Sequence, residues 1–183
     1  MAHAYSPRAV TRAVQAGVRS IEHGNLIDAD TAAFMAERQA FMVPTLITYE
    51  ALANEGASLG LPPVSVAKIE TVRSQGQKAL EVLAKAGVKM ALGTDLLGES
   101  HRHQSDELRI RAGILGAGAT LQQATVNAAE LLNMSGQLGV IKPGAKADLL
   151  LVNGNPLNDI SCLLGQGEHI QSIMKDGKFY KRS

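Results

Sequence analysis

The feature that most constrains the fold is a repeated unit, a helix, a glycine and a short apolar strand, which recurs over residues 1–135. Ser6 and Pro7 offer a helix cap followed by proline at the first helical position, and Gly17 stands where that helix should end. Strands that follow these helices are predicted at residues 18–22, 41–43 and 88–92. Because helices alternate with strands, the sequence predicts an α/β fold with a parallel sheet or barrel.

Further helices are predicted from apolar residues at three- and four-residue spacing. They run from Asp28 or Asp30 to Met35, over 66–86 and over 106–115. Residues 50–63 contain two glycines and two prolines, and are therefore predicted to be a loop insertion. Another helix is expected to open at Thr120, because Thr120 and Gln123 have the spacing of a capping box.

The character of the chain changes near residue 136. Residues 148–152 are typical of a buried strand, and Asp176-Gly177 between two apolar pairs is a signal for a two-residue hairpin turn. The sequence therefore predicts two parts, an α/β region over 1–135 and a small β-rich segment over 136–183.

Composition excludes several classes of function. The formal net charge is +1, aromatic residues are 3% of the chain and tryptophan is absent, so a nucleic-acid partner is not expected. The sequence has neither an apolar run near the roughly 20 residues of a membrane span nor the pattern of a signal peptide. The single cysteine, Cys162, excludes an internal disulfide framework. We expect a cytoplasmic protein without a membrane partner.

Three polar residues, His3, His23 and Asp95, stand at the predicted ends of strands. In a parallel barrel the C-terminal ends of the strands meet at one mouth, where active sites lie. Two imidazoles and a carboxylate suit a divalent metal of the zinc type, although manganese, iron and cobalt accept the same ligands. A structural interpretation stays open, in which each residue only makes hydrogen bonds at a strand end or turn.

Five blocks of the chain follow one another in an order that is typical of a single enzyme superfamily. They are Ala-His-Ala-Tyr at 2–5, Gly-Val-Arg-Ser-Ile-Glu-His-Gly at 17–24, Leu-Gly-Thr-Asp at 92–95, and the blocks at 124–132 and 139–149. Together they resemble the metal-dependent amidohydrolase superfamily, in its imidazolonepropionase-like and Xaa-Pro dipeptidase-like branch. The resemblance covers essentially the whole chain. It implies a partial TIM-type (β/α)8 barrel, equivalent to strands five to eight, over 1–135, and the C-terminal part of a small β-sandwich over 136–183.

The resemblance also implies roles for the three residues. His3 and His23 would bind one zinc-like ion, and Asp95 would bind a second ion and act as general base. The reaction would be hydrolysis of an amide, cyclic amide or dipeptide-like C–N bond. A bound metal lowers the pKa of water from about 15.7 to about 7, and a nearby carboxylate can pass the proton to the leaving amine.

Two further residues are candidates for contact with substrate. Tyr5, two positions after His3, points to the same face of an extended segment. It either touches substrate or is a buried tyrosine with a satisfied hydroxyl. His103 lies in the loop after Asp95, where the His-Gly-x-Asn that is usual in the superfamily is replaced by His-Gln-Ser-Asp at 103–106. The alternative for His103 is a solvated loop histidine.

The chain departs from the superfamily in one respect, since no His-x-His precedes His3. A complete barrel takes about 250 residues, well beyond the region 1–135. We therefore expect the C-terminal half of a hydrolase for a small amide or dipeptide-like substrate, binding zinc weakly and hydrolysing little when alone. Its expected partner is the missing N-terminal half or a second copy. The alternatives are a non-catalytic remnant that folds by self-association or pairing, and a purely structural α/β module.

Overall fold

The computed structural model describes residues 1–57 and 60–182, and it contains two separate three-stranded sheets. The first sheet is parallel, in the order β1-β2-β3. Its strands are β1 (Ala2–Ala4), β2 (Ser20–His23) and β3 (Phe41–Val43). The second sheet is antiparallel, in the order β4-β5-β6. Its strands are β4 (Leu149–Val152), β5 (Ile170–Lys175) and β6 (Lys178–Arg182). The mixed α/β class predicted from the sequence is confirmed.

Seven α-helices are present in the described chain. They are α1 (Pro7–Gln15), α2 (Ala29–Glu37), α3 (Leu46–Glu55), α4 (Pro63–Lys85), α5 (Asp106–Leu115), α6 (Ala117–Ala124) and α7 (Val126–Leu131). Short 3₁₀ helices lie at Gly98–His103, Ile160–Leu163 and Gly165–Gly167. No helix within residues 1–57 and 60–182 is long and apolar enough to cross a membrane.

The first two helices begin where the sequence predicts. Ser6 caps α1, and its hydroxyl accepts a hydrogen bond from the backbone N–H of Ala9. Asp28, one of the two predicted starts, caps α2 through a 2.8 Å hydrogen bond from the N–H of Thr31. Each cap satisfies a backbone donor that has no partner within the helix.

Two predictions about helices are wrong. The loop predicted over residues 50–63 is too long, because α3 extends to Glu55 and α4 begins at Pro63; residues 58 and 59 of the connection lie outside the described chain. Thr120 does not open a helix, since it lies inside α6 and its hydroxyl donates to the carbonyl of Gly116. The break between α5 and α6 is Gly116, whose φ of +83° is a left-handed conformation that glycine adopts without strain.

The strand predicted at 88–92 is reduced to an isolated bridge. Met90 pairs in parallel with Met42 of β3. The N–H of Met42 donates to the carbonyl of Lys89, and the N–H of Ala91 donates to the carbonyl of Met42. This extended segment still lies beside β3 and carries the chain towards Asp95.

One apolar core lies between the parallel sheet and its helices. Its fully buried members include Val10 of α1, Ile21 of β2, Met42 of β3, and Leu80 and Leu83 of α4. Crossover connections put helices against a parallel sheet, so the short strands are covered.

The second sheet contains the predicted hairpin, with Asp176 and Gly177 both at positive φ between β5 and β6. The strand predicted at 148–152 is also present as β4. The prediction that it is buried is wrong, because Leu150 and Leu151 are 55% and 59% exposed.

Candidate active site

His3 and His23 meet at the C-terminal ends of two neighbouring strands. His23 is the last residue of β2 and is paired with Ala4, the residue after His3. Strict alternation would therefore place His23 on the face opposite to His3. The φ of His23 is +80°, in the left-handed region, and its Nε2 lies 2.8 Å from Nδ1 of His3. Non-glycine residues in this region are strained, and such strain is concentrated at functional sites.

The His23 ring is buried and held at its other nitrogen. Its Nδ1 lies 2.7 Å from the hydroxyl of Thr45 and 3.1 Å from the hydroxyl of Tyr49. Burial lowers the pKa of His23, the neighbouring His3 lowers it further, and Asp95 opposes this shift. The ring is therefore neutral at neutral pH, which is the form that binds a metal ion.

Asp95 lies in the loop that follows the extended segment beside β3. Its Oδ2 is 3.9 Å from Nε2 of His23, and the side chain is exposed. Like His23, it has a positive φ, here +50°. The structure thus brings Asp95 to the side of the His23 ring that faces His3.

Tyr5 forms a wall of the site. Its ring stacks on His23 with the two planes 5° apart and the centroids separated by 5.0 Å. Its hydroxyl lies 2.7 Å from that of Tyr49, which is buried at the start of α3. Burial and the hydrogen bond with Tyr5 raise the pKa of Tyr49, so the Tyr49 hydroxyl stays protonated at neutral pH.

Thr45 and Tyr49 are site residues that the sequence interpretation missed. Thr45 lies two residues after the end of β3, close to the place that Tyr5 has after β1, whereas Tyr49 lies further along, in the first turn of α3. The signal that could have identified Thr45 is its position two residues after a predicted strand end, behind Pro44.

A cavity of about 680 Å³ opens beside these residues. Its polar lining includes Tyr5, Tyr49 and Asp95, and its apolar lining includes Leu52, Leu61 and Leu97. A volume of this size accommodates a small organic ligand.

His103 is not among the described residues that line this cavity. Its Nε2 lies 2.8 Å from Oε1 of Glu55, and its Nδ1 lies 3.6 Å from Oδ2 of Asp106. It is half-buried, and its contact with Glu55 holds the 3₁₀ helix at Gly98–His103 against the end of α3. A contact between His103 and substrate stays a prediction.

The metal site expected from the sequence is incomplete. Within residues 1–57 and 60–182, no group of three or more His, Cys, Asp or Glu side chains is arranged to hold a metal ion. The chemistry of His3, His23 and Asp95 fits a zinc-type ion, since a neutral imidazole and a carboxylate are ligands that zinc accepts. These residues fit part of a metal site, and the ligands that would complete it are not in this set.

The chain is similar to known proteins over almost its whole length. The model of the amidohydrolase family matches residues 1–180. The chain is similar to a crystal structure of a prolidase in complex with N-methylphosphonate-L-proline, with 53% identity and a TM-score of 0.96, over 99% of this chain and 44% of that one. It is similar to a Xaa-Pro dipeptidase with methionine bound in its active site, with 32% identity and a TM-score of 0.86, over 98% of this chain and 44% of that one.

A curated relative gives the same result. Ochratoxinase from Aspergillus niger is 29% identical over 182 residues, which are 98% of this chain and 37% of that enzyme. The chain therefore spans less than half the length of each of these three proteins.

Proposed function

Because this chain belongs to the amidohydrolase family, we propose that it supplies part of the active site of a metal-dependent hydrolase that cleaves C–N bonds. The substrate class that we favour is a dipeptide with proline in second position. The support for it is the likeness to a prolidase and to a Xaa-Pro dipeptidase.

The observation that carries the proposal is the convergence of His3, His23 and Asp95 beside one cavity. The two imidazole nitrogens are 2.8 Å apart, and the carboxylate is 3.9 Å from one of them. Asp95 and Tyr5 line the 680 Å³ cavity. In this proposal residues 1–135 carry the site, as strands five to eight of a barrel, and residues 136–183 belong to the companion sandwich.

The chain's own residues would divide the chemistry between them. His3 and His23 would hold one metal ion and Asp95 a second. When bound, the metal makes water more acidic and polarises the carbonyl of the scissile bond. Asp95, exposed at the cavity, accepts a proton from the attacking water and passes it to the leaving nitrogen. Tyr5 and Tyr49 form an aromatic wall that keeps bulk water away from the His23 ring.

The remaining ligands would come from residues outside this chain. Within the described residues β1, which carries His3, is paired on one side, with β2. Its other edge is where a missing part of the barrel, or a second copy, would add its strands. The alternative, a non-catalytic half-barrel module that self-associates, makes use of the same edge.

The test is zinc binding by the purified 183-residue chain, measured by calorimetry for the parent and for His23→Ala. His169→Ala is the matched control, because His169 is an exposed histidine in the second region, residues 136–183. We expect weak zinc binding that His23→Ala abolishes and His169→Ala leaves unchanged, with little hydrolysis of Gly-Pro by the chain alone.

Two results would contradict this proposal. Equal zinc binding by the parent and His23→Ala would remove the metal site from this place. Stoichiometric, submicromolar zinc binding with rapid turnover would show that the chain needs no further ligands. A third measurement separates the alternative: hydrolysis that appears when the N-terminal part of the 53% identical prolidase is added supports the shared site, and hydrolysis that stays at background favours the non-catalytic module.

A further inference from the structure

Thr45 occupies the N-cap position of α3, and its hydroxyl is used elsewhere. Within the described chain it makes no capping hydrogen bond to the helix. A threonine at this position usually accepts a hydrogen bond from an N–H of the first turn. Here the hydroxyl instead lies 2.7 Å from Nδ1 of His23.

The missing cap is supplied by another helix. Oε2 of Glu107, in α5, accepts a 2.7 Å hydrogen bond from the N–H of Ile47, in the first turn of α3. Glu107 is 0% exposed, as is its partner Arg111, whose Nε donates to Oε1 at 2.6 Å. A carboxylate at a helix N-terminus is also favoured by the helix dipole.

Arg111 also donates hydrogen bonds to the two segments that lead into the site. One terminal nitrogen, Nη2, donates to the carbonyl of Pro44, the residue before Thr45. The other, Nη1, donates to the carbonyl of Ala91 at 3.0 Å and to Oε1 of Gln123 at 2.7 Å. The planar guanidinium holds these acceptors in one fixed arrangement. Glu107 and Arg111 therefore bind the backbone on both sides of Thr45.

We propose that Glu107 and Arg111 are positioning residues for His23. By capping α3 in place of Thr45 and holding Pro44, they free the Thr45 hydroxyl to accept a hydrogen bond from Nδ1–H of His23. The lone pair of Nε2 then points towards His3 and Asp95. A hydrogen bond at one ring nitrogen fixes which nitrogen is free to bind a ligand. The purpose of this positioning rests on the proposed function, whereas the contacts themselves do not.

The experiment reads the His23 ring directly, in the chain without metal or substrate. Imidazole ¹⁵N shifts are measured by long-range ¹H–¹⁵N correlation at pH 7.5, and His23 is assigned by its loss in His23→Gln. In the parent we expect shifts of a ring protonated at Nδ1. In Glu107→Gln they should move towards the average of the two tautomers, in the same direction as in Thr45→Val, and Thr45→Ser should restore the parent shifts.

Asp28→Ala is the control, since it removes a side-chain cap of similar geometry from α2. It should lower stability and leave the His23 shifts unchanged. Arg111→Lys is the second variant, because a lysine keeps the charge but cannot reach all the acceptors of Arg111. A shift of His23 in either folded variant supports the inference.

The inference would be overturned if Glu107→Gln and Arg111→Lys both fold and both keep the parent His23 shifts. It would also be overturned if both variants unfold the whole chain. Neither result bears on zinc binding, so failure here is distinguishable from failure of the proposed function.

Discussion

The two sheets of this chain have equal numbers of strands, and they differ in what covers them. All three residues of β3 are buried, and the core around it involves α1, α2, α3, α4 and α5. In the second sheet Leu150, Leu151, Phe179 and Tyr180 are each at least half exposed. The residues proposed for the active site all lie with the first sheet. An apolar strand is thus no guarantee of a buried one.

The difference follows from how the strands are connected. Parallel strands need a crossover, which in this chain brings α1 and α2 onto the sheet. An antiparallel hairpin needs only a tight turn, here Asp176-Gly177, which brings no helix with it. The helices that bury the sheet of the first region, residues 1–135, are therefore supplied by the connections between its own strands. We expect this region to dominate the measured free energy of unfolding.

The largest expected effect comes from the buried ion pair. Arg111→Met leaves the carboxylate of Glu107 buried without its partner, so it should lower the free energy of unfolding by about 3–5 kcal/mol. Lys146→Met removes an exposed pair with Asp176 in the second region and should change it by less than about 0.5 kcal/mol. Urea unfolding of both variants measures this difference. Equal losses would show that the pair is not the anchor that its contacts indicate.

Matched leucine truncations test the comparison next. Leu83→Ala creates a cavity in the core and should cost about 2–5 kcal/mol. Leu151→Ala, in exposed β4, should cost less than about 0.5 kcal/mol. The midpoints of urea unfolding decide between the two regions. A large loss in Leu151→Ala would mean that the second sheet is covered by something in solution, for example a second copy.

The starts of the first two helices were predicted correctly from the sequence, and the reason is physical. Ser6 and Asp28 cap helices through their own side chains, so local chemistry decides where α1 and α2 begin. The end of α5 and the start of α6 are set by the backbone of Gly116, and the capping-box pattern at Thr120 competes with it and loses. Burial of β4 could not be predicted, because it depends on what packs against the strand.

The same reasoning applies to the site. The sequence pointed to His3, His23 and Asp95 because they stand at strand ends, where a parallel sheet brings residues together. It could not show that His23 turns to face His3, since that depends on a positive φ at a non-glycine residue. Nor could it find Glu107, whose partner Ile47 is 60 positions away in the chain.

Replacing a glycine by alanine should stabilise the first region at one position and destabilise the second region at another. Within the described chain, a Cβ at Gly113 or at Gly177 would meet no heavy atom within 4 Å. Gly113 lies in α5, where alanine should stabilise by about 0.5–1 kcal/mol. Gly177 has a φ of +77°, where alanine should cost about 1–2 kcal/mol.

Hydrogen exchange is the suitable measurement for these two variants, because it reads each region separately. Gly177→Ala should speed exchange in β5 and β6 and leave β1 to β3 unchanged. Faster exchange throughout the chain would show that the two regions unfold together.

The smallest effect is a pH dependence at the rim of the cavity. Hydrogen bonds from His103, with Arg102 beside it, lower the pKa of Glu55 below its usual 4.5, and hydrogen bonds from Ser161 lower the pKa of Asp159 in the second region. A lowered carboxyl pKa in the folded chain means that, at pH values near 4.5, the unfolded chain binds more protons than the folded one. The stability that Glu55 contributes is therefore present above pH 4.5 and is lost as the pH falls through the lower folded pKa.

Glu55→Gln should make the free energy of unfolding fall less steeply with decreasing pH. Asp159→Asn should leave this pH dependence unchanged if the first region dominates. Urea midpoints at a series of pH values from 6 down to 3 measure both, and an equal change in the two variants would place the second region in the same cooperative unit as the first.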